Sequence, residues 1–169
     1  MTNYRRARIR GGTYFFTVNL ADRSAHTLVD QVDALRAAYS KTVAERPWRT
    51  DAIVVLPNHL HCLWTLPQGD QDFSTRWRLI KTRFVRAIGG YGKTSPSKRA
   101  KQERGIWQRR FWEHAIRDEA DFTAHMQYCW GNPVKHGYVA RAADWPHSSI
   151  HRDIRLGRGG AKWSGDVGT

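Results

Sequence analysis

The pattern of apolar and polar positions along the chain predicts four strands. Residues 14–20 read YFFTVNL, an aromatic and β-branched run that is typical of a half-buried strand. A second apolar run at 52–56 is joined by a Pro-Asn pair to a third strand, which ends at residues 66–67. Residues 106–116 lead into a fourth strand. The chain therefore carries the strands of one small sheet.

Apolar residues at spacings of three and four predict three helices among these strands. The first helix carries an apolar stripe made of Leu28, Val32, Leu35, Tyr39 and Val43. The second begins near residue 72 and runs to Ile88. The third spans about 119–132, and we expect it to end there because proline at 133 disfavours the α conformation in the residue before it.

The order of these elements predicts an α+β fold of the ferredoxin-like, split βαβ type. We expect a central antiparallel sheet with helices on one face, the other face open to a ligand, and an extra C-terminal helix. A length of 169 residues suits one domain with a real core. We assign that domain to residues 1–143, and we expect residues 144–169 to form a C-terminal tail.

The charge is strongly basic, with 28 Lys and Arg against 15 Asp and Glu, a net charge of +13. Such a domain usually binds polyanions, and nucleic acid is the commonest of these. Five cations lie between residues 73 and 88 without one acid, which no salt-bridge pattern explains. The lysine-rich segment 89–105 is expected to be a loop that adds to this charge. The predicted DNA-binding residues are Arg5, Arg6, Arg8, Arg10, Arg76, Arg78, Lys81, Arg83, Arg86, Arg109 and Arg110.

The sequence has no apolar run of transmembrane length and no signal-peptide core after the first methionine. Its two cysteines fall in predicted core elements and suggest no disulfide framework. We therefore expect no membrane association and a cytoplasmic location.

Two histidines interrupt the apolar third strand. Residues i and i+2 of a strand point to the same face, so His59 and His61 should project side by side, opposite Leu60, Cys62 and Trp64. Neutral imidazoles are good ligands for divalent metals. The alternative is a pair of polar side chains on the wet face of a half-buried strand.

The predicted third helix carries a phenol and an amide four residues apart. Tyr128 and Asn132 share one face if the helix continues that far, whereas Phe122, Met126 and Cys129 share another face that suits the core. A tyrosine in such a helix is either a nucleophile or a packed core residue.

Several segments resemble the HUH single-tyrosine transposases. Residues 54–64, VVLPNHLHCLW, match the His-hydrophobic-His motif of that superfamily. Residues 128–137, YCWGNPVKHG, are similar to the catalytic-tyrosine segment of its REP-associated branch, bacterial proteins linked to repetitive extragenic palindromes. The segments GGTYFFTVN, FWEHAIR and DWPHSS also look like this branch, so the resemblance runs from about residue 4 to 165.

The resemblance implies metal-dependent cleavage and rejoining of single-stranded DNA at hairpin, REP-like sequences. By this resemblance, His59 and His61 would bind Mg²⁺ or Mn²⁺, Asn132 would be the third ligand, and Tyr128 would form a 5′-phosphotyrosine. The partner would be single-stranded or hairpin DNA. The protein would be monomeric, with a dimer as the alternative, and nucleoid-associated in a bacterium.

Two other functions remain open at this point. One is a hairpin-binding protein of the same fold that does not cleave. The other is a metal-dependent hydrolase in which the His pair activates water, which would need a further carboxylate or histidine near the metal. For the transposase, the candidates for a general base are His114 and Glu113.

Overall fold

The computed structural model describes residues 6–90, 96–97 and 105–158 of the chain. The strands of this part are β1 (Thr13–Asn19), β2 (Arg49–Val55), β3 (His59–Thr65) and β4 (Trp112–Ala115). Its helices are α1 (Thr27–Asp30), α2 (Val32–Glu45), α3 (Phe73–Ile88), α4 (Glu119–Lys135) and α5 (Ile150–Arg155), with a 3₁₀ turn at Ala142–Asp144.

The sheet has the strand order β2-β3-β1-β4, and each neighbouring pair is antiparallel. With α2 between β1 and β2 and α3 between β3 and β4, this confirms the predicted α+β fold with a split βαβ order. The register pairs Thr17 with His61 and Asn19 with His59. The two central strands therefore present polar groups to each other on one face of the sheet.

One face of the sheet packs against α2 and α3 and holds the larger core. Alternate residues of β1 and β3 point there, and Leu60, Cys62 and Trp64 are fully buried among them. The indole of Trp64 stacks on Trp77 of α3, with 4.3 Å between ring centroids. This confirms that the residues between the two histidines lie on the helix side.

The opposite face is only partly open, which differs from the predicted open face. Helix α4 packs on β2 and β3, where Cys129 lies among Phe15, Val54 and Leu63 in a second buried cluster. These strand positions are apolar on both faces, so the sheet needs cover on this side too. The half over β1 and β4 stays accessible, and Trp112 is 51% exposed there.

Two helix boundaries differ from those predicted. The first helix is interrupted at Gln31, which divides it into α1 and α2. Helix α4 continues through Pro133 to Lys135. Proline in the last turn removes only one intrahelical bond, and the helix end is closed by the amide of His136, which donates to the carbonyl of Asn132 at 3.1 Å.

The segment after residue 143 follows the outer edge of β2. The amide of Val55 donates to the carbonyl of His147 at 2.9 Å, and the amide of Ser149 donates to the carbonyl of Ile53 at 2.8 Å. The guanidinium of Arg152 binds two further carbonyls of the same region. An edge strand has unpaired donors and acceptors, and this segment satisfies them. The segment assigned to the C-terminal tail is thus attached to the edge of the sheet as far as residue 152.

Both cysteines are buried and free. Among the described residues, no helix is long and apolar enough to cross a membrane.

Candidate functional site

The two histidines of β3 lie side by side, with 5.0 Å between ring centroids, and each is 4% exposed. The Nδ1 of His59 donates to the Oδ1 of Asn58 at 2.6 Å, because an amide oxygen can only accept. The Nδ1 of His61 is bonded to the hydroxyl of Thr17 at 2.8 Å. Both Nδ1 atoms are therefore occupied, and both Nε2 atoms are left for a ligand.

Burial keeps both imidazoles neutral at physiological pH. It lowers the pKa of His59 to about 4, with further contributions from Arg23 and His136. It lowers the pKa of His61 to about 3, with the neighbouring His59 as the next cause. A neutral imidazole with one oriented nitrogen is the form that binds metals.

Asn132 is fully buried on α4, and among the described residues neither atom of its amide has a well-formed hydrogen bond. It lies close enough to His59 to raise the pKa of that ring against the effect of burial. An unsatisfied buried amide costs about 1–3 kcal/mol. An amide oxygen is a suitable ligand for Mg²⁺ or Mn²⁺, so the three residues fit a divalent cation.

Tyr128 lies one helical turn before Asn132 and beside the histidines. Its ring meets the ring of His61 edge to face, with 5.2 Å between centroids and an interplanar angle of 73°. The ammonium of Lys135 lies 4.9 Å from the centroid of the Tyr128 ring. The predicted phenol, imidazoles and amide thus come together between β3 and α4.

Three further residues of this site were not predicted from the sequence. The ring of His136 lies 5.1 Å from that of His59, and its place four residues after Asn132 was the available signal. Burial lowers the pKa of His136, and the positive charges of Lys135 and Arg23 lower it further. Nothing in the sequence pattern indicated Arg23, because a loop brings it to the site.

A second cluster of possible ligands lies at the start of α4. Ligand atoms of His114, Asp121 and His125 all lie within 4.8 Å of one another, an arrangement compatible with a divalent metal. The same atoms also bond to each other. The Nε2 of His114 is 2.8 Å from the Asp121 carboxylate, and the Nδ1 of His125 is 3.0 Å from it. Hydrogen bonds from the Arg117 amide and from His114 hold the pKa of Asp121 low despite burial.

The two candidates for a general base lie on different faces of the sheet. His114 shares the face of the histidine pair, because it is paired with Phe15, whereas Glu113 is paired with Phe16 and faces the larger core. A carboxylate oxygen of Glu113 lies 3.5 Å from the guanidinium of Arg6. Glu113 is therefore separated from Tyr128 by the sheet.

A pocket of about 470 Å³ opens beside the tyrosine over β1 and β4. It is lined by Phe15, Thr17, Trp112, Ala124, His125 and Tyr128.

Arg76 is 2% exposed, which contradicts its predicted role in DNA binding. Its guanidinium donates to the backbone carbonyls of Arg46, Pro47 and Asp72 and pairs with Asp70 at 2.7 Å. All three nitrogens of the guanidinium therefore donate hydrogen bonds inside the fold.

Three other predicted cations also contact protein groups. Lys81 donates to the carbonyl of Gln108 at 2.9 Å, and burial lowers its pKa to about 8. Arg83 binds the hydroxyl of Thr42 and the carboxylate of Glu45. Arg6, besides its pairing with Glu113, lies 4.3 Å above the ring of Phe111. The exposed members of the predicted set are Arg8, Arg10, Arg78, Arg86, Arg109 and Arg110.

Arg5 and most of the lysine-rich loop lie outside the described residues. Helix α3 packs on the sheet face opposite the histidine pair.

No protein-family model matches the chain. The chain is 48% identical over 167 residues to the REP-associated tyrosine transposase of Escherichia coli, which covers 99% of this chain and 93% of that protein. It is 44% identical over 167 residues to a putative REP-associated tyrosine transposase of Haemophilus influenzae, covering 98% of this chain and 95% of that protein.

A solved structure of a REP-associated tyrosine transposase bound to a REP hairpin is also similar. It superposes with a TM-score of 0.89 at 48% identity and covers 100% of this chain and 94% of that chain. The chain therefore belongs to the REP-associated tyrosine transposases.

Proposed function

We propose that this protein cleaves and rejoins single-stranded DNA at hairpin, REP-like sequences, with Tyr128 as the nucleophile. The observation that carries the proposal is the contact of Tyr128 with His61. The helix that carries Tyr128, α4, also brings Asn132 close to His59. A phenol beside two neutral imidazoles and a buried amide is suited to phosphoryl transfer. The similarity to a transposase solved with a REP hairpin supports hairpin DNA as the partner.

The proposed reaction begins when the phenolic oxygen of Tyr128 attacks the phosphorus of a DNA strand. A 5′-phosphotyrosine bond forms, and the bond from phosphorus to the 3′ oxygen breaks, so that a 3′-hydroxyl leaves. The reverse attack by a 3′-hydroxyl restores a phosphodiester and frees the phenol. Because the covalent link retains the bond energy, rejoining needs no nucleotide cofactor.

The cations beside Tyr128 are suited to bind the scissile phosphate. Lys135 lies over the ring of Tyr128, and the positive charge of Arg23 acts on both histidines of β3. Such groups stabilise the charge that develops on phosphoryl oxygens. We assign both residues to orienting the phosphate toward the phenol.

The residues that would hold the metal are His59 and His61 through Nε2 and Asn132 through its amide oxygen. When bound, Mg²⁺ or Mn²⁺ would neutralise charge on a phosphate oxygen. The hydrogen bonds that the two rings make to Asn58 and Thr17 fix the rings before any cation arrives, which lowers the entropic cost of binding. We favour this site over the cluster around Asp121, because carboxylate, amide and imidazole groups there already bond to one another.

The DNA duplex of the hairpin would contact exposed cations. We assign this role to Arg8, Arg10, Arg78, Arg86, Arg109 and Arg110, and we leave Arg76 out because it is buried. Exposed arginines neutralise backbone phosphates and release counterions. We also propose that the protein acts as a monomer at the nucleoid, and light scattering of the purified chain with and without hairpin DNA tests the first of these points.

A metal-dependent hydrolase is the second candidate, because His136 supplies the additional histidine that such a site requires. The two functions differ in their products. A hydrolase releases both DNA ends, whereas the transposase keeps one end attached to the protein.

The deciding experiment incubates a 3′-labelled hairpin oligonucleotide with single-stranded flanks, so that the label lies 3′ of the cut, with the chain and Mn²⁺. We expect a covalent adduct that survives denaturing electrophoresis, and its loss in Tyr128→Phe. The matched control is Tyr138→Phe, because Tyr138 is an exposed phenol close to the same site. Cleavage without an adduct supports hydrolysis, and binding without cleavage supports a non-cleaving protein. Cleavage by Tyr128→Phe would remove the nucleophile assignment.

A further inference from the structure

We propose that the pocket between β4 and α4 binds one unpaired nucleobase of the DNA strand, in the nucleotide next to the scissile phosphate. This inference rests on the proposed function, because it assumes that a DNA strand reaches Tyr128. The occupant is a base of single-stranded DNA, and Trp112 is its main stacking partner.

The pocket lies next to the proposed nucleophile, because Tyr128 forms part of its wall. Tyr128 both lines the pocket and contacts His61, so one side chain separates the pocket from the histidine pair. A phosphodiester in reach of the phenol carries a nucleoside on each side. The face over β2 and β3 is covered by α4, whereas the face over β1 and β4 is accessible. A base that leaves the scissile phosphate in this direction therefore enters the pocket.

The surface of the pocket is aromatic and suits a flat ring. Its floor is Phe15, whose ring meets Trp112 edge-on at 5.9 Å and His125 at 4.8 Å between centroids. Trp112 is 51% exposed although it is one of the largest apolar side chains. Stacking of bases on aromatic side chains is the main mode by which proteins bind unpaired nucleotides.

One side of the pocket is built on a row of nearly parallel rings. The rings of Trp112 and His114 are nearly parallel, with an interplanar angle of 7° and 6.0 Å between centroids. The rings of His114 and His125 have an interplanar angle of 18° and lie 4.6 Å apart between centroids. Asp121 holds both imidazoles, His114 through its carboxylate and His125 through its backbone carbonyl, each at 2.8 Å. The cluster at the start of α4 thus has a positioning role, because it fixes the rings that support Trp112. An ordered wall reduces the entropy that binding would cost.

The chemistry of the pocket favours a base over other small flat groups. Lys135 and Arg23 provide phosphate-binding cations on the Tyr128 side, so a ligand with a ring and an attached phosphate fits both regions. The walls offer aromatic faces and few polar groups, so they stack on a base without reading its edge. We therefore expect purines to bind more tightly than pyrimidines, with weak selection between adenine and guanine.

The test measures hairpin binding by fluorescence anisotropy in a Tyr128→Phe background, which prevents any covalent step. Single abasic sites are placed in turn at each unpaired nucleotide of the flanks. We expect Trp112→Ala to weaken binding of the intact hairpin roughly 5- to 150-fold, the range for one stacked base. With the parent protein, one of the abasic hairpins should show the same loss of affinity. With Trp112→Ala, that abasic site should cause no further loss.

Two variants control for indirect effects. Trp112→Phe should retain most of the affinity, because a smaller ring still stacks. Leu156→Ala, which truncates another exposed apolar side chain at the end of α5, should bind like the parent. If the loss of affinity in Trp112→Ala adds to the loss caused by every abasic site, no base depends on Trp112 and the proposal is overturned. Unchanged binding by Trp112→Ala overturns it as well.

The outcome is separable from that of the proposed function. If the chain with Tyr128 intact gives no covalent adduct but the coupling between Trp112 and one base is present, the pocket stands and cleavage does not. If the adduct forms and the coupling is absent, cleavage stands and the pocket proposal fails.

Discussion

The ring of Tyr128 meets the ring of His61 edge to face, with 5.2 Å between their centroids. The next residue of α4, Cys129, places its sulfur 3.4 Å from the carbonyl of His61, as a donor to that oxygen. Two successive helix residues are thus held by one strand residue. The position of the phenol is set by the strand that carries the imidazoles, so contacts within the fold hold the two halves of the site together.

Replacing Thr17 by valine should weaken binding of Mn²⁺. The hydroxyl of Thr17 orients the ring of His61 through Nδ1, and loss of such a second partner typically costs about 10- to 100-fold in metal affinity. The matched control is Thr13→Val. Thr13 lies on the same face of β1 as Thr17, and its hydroxyl bonds to the hydroxyl of Thr65 on β3. Titration followed by electron paramagnetic resonance measures the affinity. Equal affinities for the two variants would contradict the prediction.

Replacing Asn132 by leucine should raise stability while it lowers Mn²⁺-dependent cleavage. The amide is fully buried and, within the described part of the chain, makes no well-formed hydrogen bond, so a leucine of similar volume removes a penalty of about 1–3 kcal/mol. Urea unfolding measures the first effect, and the rate of adduct formation measures the second. A variant that is less stable than the parent would indicate that Asn132 is a structural residue with a partner in solution.

The fold and the two halves of the site could be predicted from periodicity. Alternation along a strand places His59 and His61 on one face, and a four-residue spacing places Asn132 below Tyr128 on a helix. Neither pattern says that the helix packs against that strand. Their meeting is a tertiary contact between residues about 70 positions apart, and only the resemblance to a family indicated it from the sequence.

Other features depend on neighbours that periodicity does not identify. The charge of α3 was visible, but burial of Arg76 follows from backbone carbonyls at the end of α2, to which its guanidinium donates. The segment around Ser149 has little apolar pattern because it is held by hydrogen bonds to the edge of β2. Hydrogen bonding to a strand edge needs no particular side-chain sequence, so composition does not reveal it.

Replacing Arg78 and Arg86 together by alanine should weaken hairpin binding and reduce its salt dependence. Both are exposed on α3, and each lost phosphate contact lowers the slope of log K against log salt by about 1. The control is Arg36→Ala, which removes an exposed arginine of α2 that is absent from the proposed DNA surface. Anisotropy titrations at several salt concentrations give the slope. A slope equal to that of the parent would exclude both residues from the interface.

Replacing Arg76 by alanine should destabilise the fold more than it affects DNA contacts. The change breaks four hydrogen bonds of a buried guanidinium, and we expect a loss of roughly 3 kcal/mol, since Asp70 keeps access to water. Urea unfolding provides the measurement, with the exposed Arg78→Ala as control. If Arg76→Ala retained the stability of the parent but bound DNA poorly, the result would support the DNA-binding role that the sequence predicted for Arg76.

Acidification from pH 6.5 toward pH 4 should lower the free energy of unfolding. Burial lowers the pKa of His59 to about 4 and that of His61 to about 3, against about 6.5 in the unfolded chain. The unfolded chain therefore binds more protons in this window, and stability falls with pH, by up to about 1.4 kcal/mol for each unit of pKa shift. Above pH 6.5 both states are neutral at these positions, and their contribution is constant. Urea unfolding of His59→Asn should show a shallower dependence, whereas His26→Asn, outside the site, should match the parent. Parallel curves for the parent and His59→Asn would contradict the assignment of this pH dependence to the histidine pair.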